Sequence, residues 1–195
     1  MGGAISLEVR ASGPLALVED LGRPGHAALG VGPSGAADRA SLRLANRLLG
    51  NPEGAAAIEV ALGGLEIVVR GGDLWVGVTG APAPISVADV PSGRNGVVLL
   101  RDGDRLSLGV PEYGLRTYVA VRGGIEAAEA LGSRSTDVLS GIGPDPLAEG
   151  DVLAVGEASG ALPSVDVVPD PTAGRGGTVD LRAVRGPRDD WVTDA

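Results

Sequence analysis

The sequence contains no cysteine, no phenylalanine and no lysine, so all 16 basic residues are arginine. Without cysteine there can be no disulfide, no thiol nucleophile and no cysteine-ligated zinc. Without lysine there can be no lysine Schiff base and no lysine-containing phosphate loop. The HExxH and GxSxG motifs are also absent, and we predict no metal site.

Aromatic residues make up only 2% of the chain, whereas hydrophobic residues as a group make up 44%. The core must therefore be built from Val, Leu, Ile and Ala. The 33 glycines and 14 prolines follow no repeat, which indicates many tight turns rather than a fibrous protein. A length of 195 residues suits one good-sized domain or two small ones.

The formal net charge of −9 disfavours nucleic acid as a partner, because phosphate binding needs a basic surface. The sequence has no apolar run long enough to predict a membrane span. It also lacks the basic segment followed by a short apolar stretch that is typical of a signal peptide. We therefore expect a cytoplasmic protein that binds neither nucleic acid nor membranes.

Short segments of β-branched and alternating residues predict a mostly β fold. Residues 57–62 and 65–69 flank Gly63 and Gly64, and we predict that they form a hairpin. Three turn-and-strand units, each closed by glycine, indicate an antiparallel barrel-like or sandwich arrangement. Further strands are predicted at residues 7–9, 15–18, 85–88, 97–100 and 115–121. The predicted fold is an antiparallel barrel-like domain with one main helix and one or two short helices.

The main helix begins after Asp38, whose carboxylate can accept from the free amides of the first turn. An apolar face at helical spacing follows, and Gly50 supplies the left-handed stop. This face comprises Leu42, Ala45, Leu48 and Leu49, with Asn46 beside it. Short helices are predicted at residues 51–53, where Asn51 would be the cap, and at residues 125–131.

The loop at residues 20–36 is too rich in glycine and proline for regular structure, yet it carries Asp20, Arg23, His26 and Ser34. Loops on a rigid scaffold often carry binding residues. The alternative is an arginine–carboxylate pair that only fixes the loop. Ser34 has only the distant His26, and no second histidine or cysteine, to activate it, so we do not expect a serine triad.

Two later segments also contain candidates. Glu59 lies between Ile58 and Val60 on a predicted strand, so it faces either solvent or a pocket opposite the core. Ser133 and Arg134 follow Gly132, and such a loop can bind a carboxylate or phosphate through amides and a forked guanidinium. In the alternative interpretation Arg134 only pairs with Asp137.

An ordered set of motifs resembles the allophanate hydrolase subunit 2 family, also called the biotin-dependent carboxyltransferase family. The motifs are EDLGRPG at 19–25, GPSGAAD at 32–38, GNP at 50–52, YVAVRGGI at 118–125, LGSRST at 131–136 and RGP at 185–187. The family pattern usually has glutamine at the position of Glu19 and an aromatic residue at that of His26.

The resemblance implies a subunit of an ATP-dependent complex that cleaves an amide. We expect the role of the C subunit of 5-oxoprolinase, which converts 5-oxoproline to glutamate, or that of allophanate hydrolase subunit 2. The expected partner is an allophanate hydrolase subunit 1-type protein, the expected substrate a small anionic amide, and ATP the cofactor of the complex. Two alternatives are a regulatory module that sequesters its partner and a carboxyltransferase domain of the urea carboxylase type. Biotin would be a cofactor only in the carboxyltransferase alternative, and no residue of this chain indicates it.

For the site we predict that six residues converge on one cleft: Asp20 and Glu59 as catalytic groups, and Arg23, Asn46, Ser133 and Arg134 as substrate-binding groups. Residues 1–156 are predicted to form a β-rich carboxyltransferase-type subdomain. Residues 157–178, rich in Gly, Pro and Ala, are predicted to be a linker. Residues 179–195 would then start a second β-rich subdomain, and we expect the chain to be a truncated form that is inactive alone.

Overall fold

The computed structural model describes residues 4–164, 167–169, 186 and 191. This part of the chain contains twelve β-strands, one α-helix, α1 (Arg39–Leu48), and a 3₁₀ turn (Ala27–Leu29). The strands are β1 (Ser6–Ser12), β2 (Leu15–Glu19), β3 (Ala57–Ala61), β4 (Leu65–Arg70), β5 (Leu74–Gly80), β6 (Ile85–Val87), β7 (Val90–Ser92), β8 (Gly96–Leu100), β9 (Arg105–Leu108), β10 (Arg116–Val121), β11 (Ile125–Glu126) and β12 (Val152–Val155).

The strands form two antiparallel sheets. The seven-stranded sheet has the order β11-β12-β1-β4-β9-β6-β7, and the five-stranded sheet has the order β2-β3-β10-β5-β8. The prediction of a mostly β, antiparallel fold with one main helix is confirmed, although the two sheets do not close into a barrel.

The core lies between the two sheets and is aliphatic, as the lack of aromatic residues requires. One cluster of fully buried Val, Leu and Ile side chains draws on both sheets, as in other sandwiches. Leu7 and Ile67 enter it from the seven-stranded sheet, and Ile58, Val76 and Val119 enter it from the five-stranded sheet.

Helix α1 covers the other face of the five-stranded sheet. The predicted apolar residues Leu42, Ala45 and Leu49 pack there against Ala120 and Tyr118. The backbone of β5 comes close to the helix at Gly77, where an added Cβ would lie 3.3 Å from the Ala45 carbonyl oxygen. The five-stranded sheet is therefore covered on both faces.

The predicted hairpin at residues 57–69 is wrong, although both of its strands exist. Strand β3 pairs with β2 and β10, whereas β4 pairs with β1 and β9 in the other sheet. Leu62, Gly63 and Gly64 all have positive φ, and this turn carries the chain from one sheet to the other. Alternation along a strand predicts which residues face the core, but it does not predict which strand is the partner.

The two predicted short helices are also wrong, and the short helical turn lies instead at Ala27–Leu29. The Asn51 side chain donates to Val121 O and accepts from Gly123 N, so it fixes a turn instead of capping a helix. Ile125 is needed in the inter-sheet core, where β11 pairs with β12.

Within the predicted linker, residues 157–164 and 167–169 contain no helix or strand. Val167 makes an isolated antiparallel bridge to Gly96, and Val168 N donates to Asn95 O at 2.7 Å. The rest of the linker and the predicted second subdomain lie outside the described residues, apart from Gly186 and Trp191. In the part of the chain that is described, no helix has both the length and the apolar character needed to cross a bilayer.

The cap of α1 gives the first prediction. Asp38 Oδ1 accepts from the amides of Ala40 and Ser41 at 3.1 and 3.0 Å, and its Oδ2 accepts from the Ser41 hydroxyl. Replacing Asp38 with Ala should lower the free energy of unfolding by about 1 kcal/mol, the usual value for a lost N-cap. Urea denaturation measures this, with Asp145→Ala as the control in an exposed loop. Equal midpoints for both variants would contradict the assignment.

Candidate functional site

A carboxylate, Asp20, connects the loop after β2 to the segment at residues 133–135. Its Oδ1 accepts from the hydroxyls of Ser133 and Ser135 at 2.6 Å and from Gly22 N, and its Oδ2 accepts from Arg134 N at 2.7 Å. Burial alone would raise the pKa of Asp20, but these hydrogen bonds outweigh burial and lower the pKa below its ordinary value. Asp20 is therefore a carboxylate whose negative charge is stabilised by hydrogen-bond donors of the protein.

Arg23, of which 1% is exposed, joins the same two segments. Its guanidinium donates to Ala130 O, to the Ser34 hydroxyl and to Ser135 O. The Ser34 hydroxyl in turn donates to Asp137 at 2.8 Å. This arrangement resembles the predicted loop-fixing interaction, but Arg23 makes it through hydroxyl and carbonyl oxygens.

The side chain of Arg134 leaves this cluster. It donates to Glu129 and Glu126, at 2.5 and 2.9 Å, on the exposed side of the loop. It does not pair with Asp137, whose pKa is lowered to about 2 by Ser140 and Ser34. Only the backbone amide of Arg134 belongs to the cluster around Asp20.

Glu59 faces away from the inter-sheet core and is buried where the chain enters α1, so it does not face solvent. Its Oε1 accepts from Arg116 at 2.6 Å, and its Oε2 accepts from the Tyr118 hydroxyl at 2.6 Å and from Ala37 N at 2.9 Å. The Tyr118 oxygen accepts from Asp38 N. One carboxylate thus joins β10 to the first residues before α1.

Asn46 has its own set of partners. Its amide donates to Ala55 O at 2.8 Å and to Glu53 O, and its oxygen accepts from Asn51. These bonds hold the turn that follows α1. The structure thus brings Asp20, Arg23, Ser133 and the Arg134 backbone together, and places Glu59 and Asn46 in two other hydrogen-bond groups.

Glu19, which we did not select as a site residue, is the most perturbed carboxyl group of this region. It is 3% exposed, and its Oε2 has no hydrogen-bond partner. Burial raises the pKa of Glu19 to about 8. The Ser135 hydroxyl opposes the shift, and the negative charges of Glu59 and Asp20 add to it. The Glu19 carboxyl group therefore holds a proton at neutral pH.

A cavity of about 680 Å³ opens at one end of the five-stranded sheet, beside the start of α1. Its polar walls are Asp38, Ser41, Arg47, Arg94, Asn95 and Arg116, and its apolar walls include Leu44, Pro82, Tyr113, Leu115, Val168 and Pro169. None of the six residues predicted for the site is among the described residues that line it. Glu59 connects to the cavity through Arg116, through the backbone of Ala37 and, by way of the Tyr118 hydroxyl, through the backbone of Asp38.

The cavity combines cations with an apolar surface, which suits a small ligand that carries a carboxylate. Arg116 makes a single side-chain hydrogen bond among the described residues, to Glu59, and a guanidinium has five N–H donors. Arg94 donates to Gly80 O, and Arg47 pairs with Glu53. Arg116 was missed because a lone arginine at the start of a strand has no distinctive sequence pattern.

Within the described residues, no group of three or more histidine, aspartate and glutamate side chains is placed to hold a metal ion. Nor is the start of α1 open to phosphate. The amides of Ala40 and Ser41 are bound by Asp38, and those of Ala37 and Asp38 are bound by Glu59 and Tyr118. A nucleotide phosphate therefore does not fit there.

Comparison with known proteins gives a family match. The family described as "Carboxyltransferase domain, subdomain A and B" matches residues 29–195. A urea amidolyase of Lachancea kluyveri is 39% identical over 165 residues, which cover 81% of this chain and 9% of that protein. The C subunit of the Escherichia coli 5-oxoprolinase is 36% identical over 155 residues, which cover 78% of this chain and 50% of that protein.

The fold is also found in solved structures. The urea carboxylase of Kluyveromyces lactis superposes with a TM-score of 0.74 at 35% identity, over 84% of this chain and 15% of that chain. This chain spans about half the length of the bacterial relative and a small part of the fungal ones.

Glu19 gives the second prediction, on stability and pH. The folded protein keeps the Glu19 proton up to a pH of about 8, whereas the unfolded chain releases it near the ordinary value of 4.5. Stability from this group is therefore complete below pH 4.5 and is lost as the pH rises towards 8, by up to about 1.4 kcal/mol per pH unit.

In Glu19→Gln, the glutamine side chain has the shape of the protonated glutamate but does not titrate. It should flatten the decline between pH 5 and pH 8 and raise the free energy of unfolding at pH 8. Urea denaturation across this range measures both effects, with Glu149→Gln as the exposed control. A wild-type decline that persists unchanged in Glu19→Gln would show that another group causes it.

Proposed function

Because the chain belongs to the carboxyltransferase-domain family, we propose that it is a subunit of an ATP-dependent complex that acts on a small amide. We further propose that the complex is of the 5-oxoprolinase type, which opens 5-oxoproline to glutamate. The Escherichia coli relative, a C subunit of 5-oxoprolinase, supports this choice, since it matches over 78% of this chain. The proposed partner is an allophanate hydrolase subunit 1-type protein.

The observation that carries the proposal is Arg116 beside an apolar wall in the cavity. 5-Oxoproline is a small ring with a lactam and a carboxylate. Arg116 can bind the carboxylate with the N–H groups that Glu59 leaves unused. The Asn95 side chain can donate to and accept from the lactam, and Pro82 and Leu115 offer apolar surface to the ring methylenes.

The chain's own part in the reaction is to bind and orient the amide. The carboxylate that lines the cavity, Asp38, already accepts three hydrogen bonds as the cap of α1. Its role is therefore to hold the start of α1, which forms one wall of the cavity. ATP would supply the free energy for opening the lactam. Phosphate does not fit at the start of α1, and we propose that the partner subunit binds the nucleotide.

Carboxyl transfer to urea is the second candidate, because relatives named urea amidolyase and urea carboxylase match most of this chain. In that role biotin would carry the carboxyl group. If biotin were bound here, Arg116 would hold the carboxyl group, and Pro82 and Leu115 would offer apolar surface to the ring. Urea itself is neutral and would gain less from Arg116 than 5-oxoproline would.

Calorimetric titration of the 195-residue chain distinguishes the two roles. We expect binding of 5-oxoproline to exceed that of urea, and Arg116→Ala to weaken binding of 5-oxoproline at least tenfold, because a charge-assisted hydrogen bond is lost. Arg101→Ala, at an exposed arginine outside the cavity, is the control and should bind like the wild type. Binding of urea without binding of 5-oxoproline would replace the first role by the second.

A further inference from the structure

The neighbourhood of Glu59 differs from that of a catalytic base. Both carboxylate oxygens are occupied, by three donors from Arg116, Tyr118 and Ala37 at 2.6 to 2.9 Å. The side chain is 3% exposed and lies behind the cavity wall. The residues that Glu59 binds therefore lie between its carboxylate and a ligand in the cavity.

We propose that Glu59 is a positioning residue that orients Arg116 towards the ligand and fixes the chain where it enters α1. This inference rests on the proposed function, in which Arg116 binds the substrate carboxylate. The sequence suggested a catalytic role for Glu59. We propose instead that Glu59 acts indirectly, through groups that do line the cavity.

The first connection runs through the guanidinium of Arg116. Its side chain is 29% exposed, so one side packs against Glu59 while the other faces the cavity. An arginine side chain has several rotatable bonds, and holding it in one orientation lowers the entropy that it loses when a ligand binds. The buried partner at 2.6 Å provides this restraint before the ligand arrives.

The second connection runs through the backbone before α1. Glu59 accepts from Ala37 N, and Tyr118 links Glu59 to Asp38 N at 2.7 Å. Burial and the bond to Glu59 raise the pKa of Tyr118 well above its ordinary value, so its hydroxyl keeps its proton and remains a donor. Ala37 and Asp38 both line the cavity. A single carboxylate therefore sets two walls of the cavity at once.

The test begins with a measurement that needs no ligand. In Glu59→Gln, NMR relaxation of the Arg116 side-chain Nε–H should change from rigid to mobile, and amide exchange at Ala37 and Asp38 should accelerate at least tenfold. Arg116→Ala identifies the side-chain signal by its loss. The matched control is Glu66→Gln, which removes an exposed Glu–Arg pair on the other sheet and should leave both measurements unchanged.

Tyr118→Phe is the second variant, in case Glu59→Gln does not fold. It keeps the carboxylate but removes the hydroxyl that joins Glu59 to Asp38, and it should accelerate exchange at Asp38 more than at the amides of β4. If the folded variants leave both the Arg116 signal and the exchange rates as in the wild type, the inference is overturned, whatever the substrate is.

Binding of 5-oxoproline to the four members of a double-mutant cycle then tests the connection to function. If Glu59 acts through Arg116, Glu59→Gln should weaken binding severalfold in the wild type and have no further effect in Arg116→Ala. Independent effects that multiply would overturn the positioning role. Absence of binding to the wild type would overturn the proposed substrate instead, and the ligand-free measurements would still decide the role of Glu59.

Discussion

The fold depends on the burial of the five-stranded sheet on both faces. The inner face meets the other sheet mainly through aliphatic side chains, whereas the outer face carries Glu19, Glu59 and Tyr118 beneath α1 and its entry loop. Burying a carboxylate is costly unless donors surround it or it takes a proton. Glu59 is stabilised by surrounding donors, and Glu19 is stabilised by taking a proton. The cost of burial at these neighbouring positions of one sheet is therefore reduced in two different ways.

Much of the fold could be predicted because it depends on local patterns. The apolar face of α1, its Asp38 cap and most strands follow from side-chain spacing that the structure confirms. The pairing of strands could not be predicted, because the exchange between sheets at residues 62–64 depends on backbone turns and distant partners. The helix expected at residues 125–131 was wrong because of distant partners as well, since Ile125 packs in the inter-sheet core.

The candidate site was predictable only in part. Polar loop residues such as Asp20, Arg23 and Ser133 do meet, because each needs partners that the other loop supplies. The cavity, however, is assembled from the ends of β5 and β10, the start of α1 and residues 168–169, which are far apart in the sequence. A protonated glutamate at position 19 has the shape of glutamine, the residue that the resemblance to the family leads us to expect there.

The shortage of aromatic residues also makes the molecule convenient for spectroscopy. The chain has two tryptophans, and Trp75 packs on the outer face of the five-stranded sheet against the cluster formed by Leu42, Leu49 and Tyr118. Replacing Trp191 would leave Trp75 as the sole indole fluorophore. Its indole emission would then report how α1 sits on the sheet, without an attached dye.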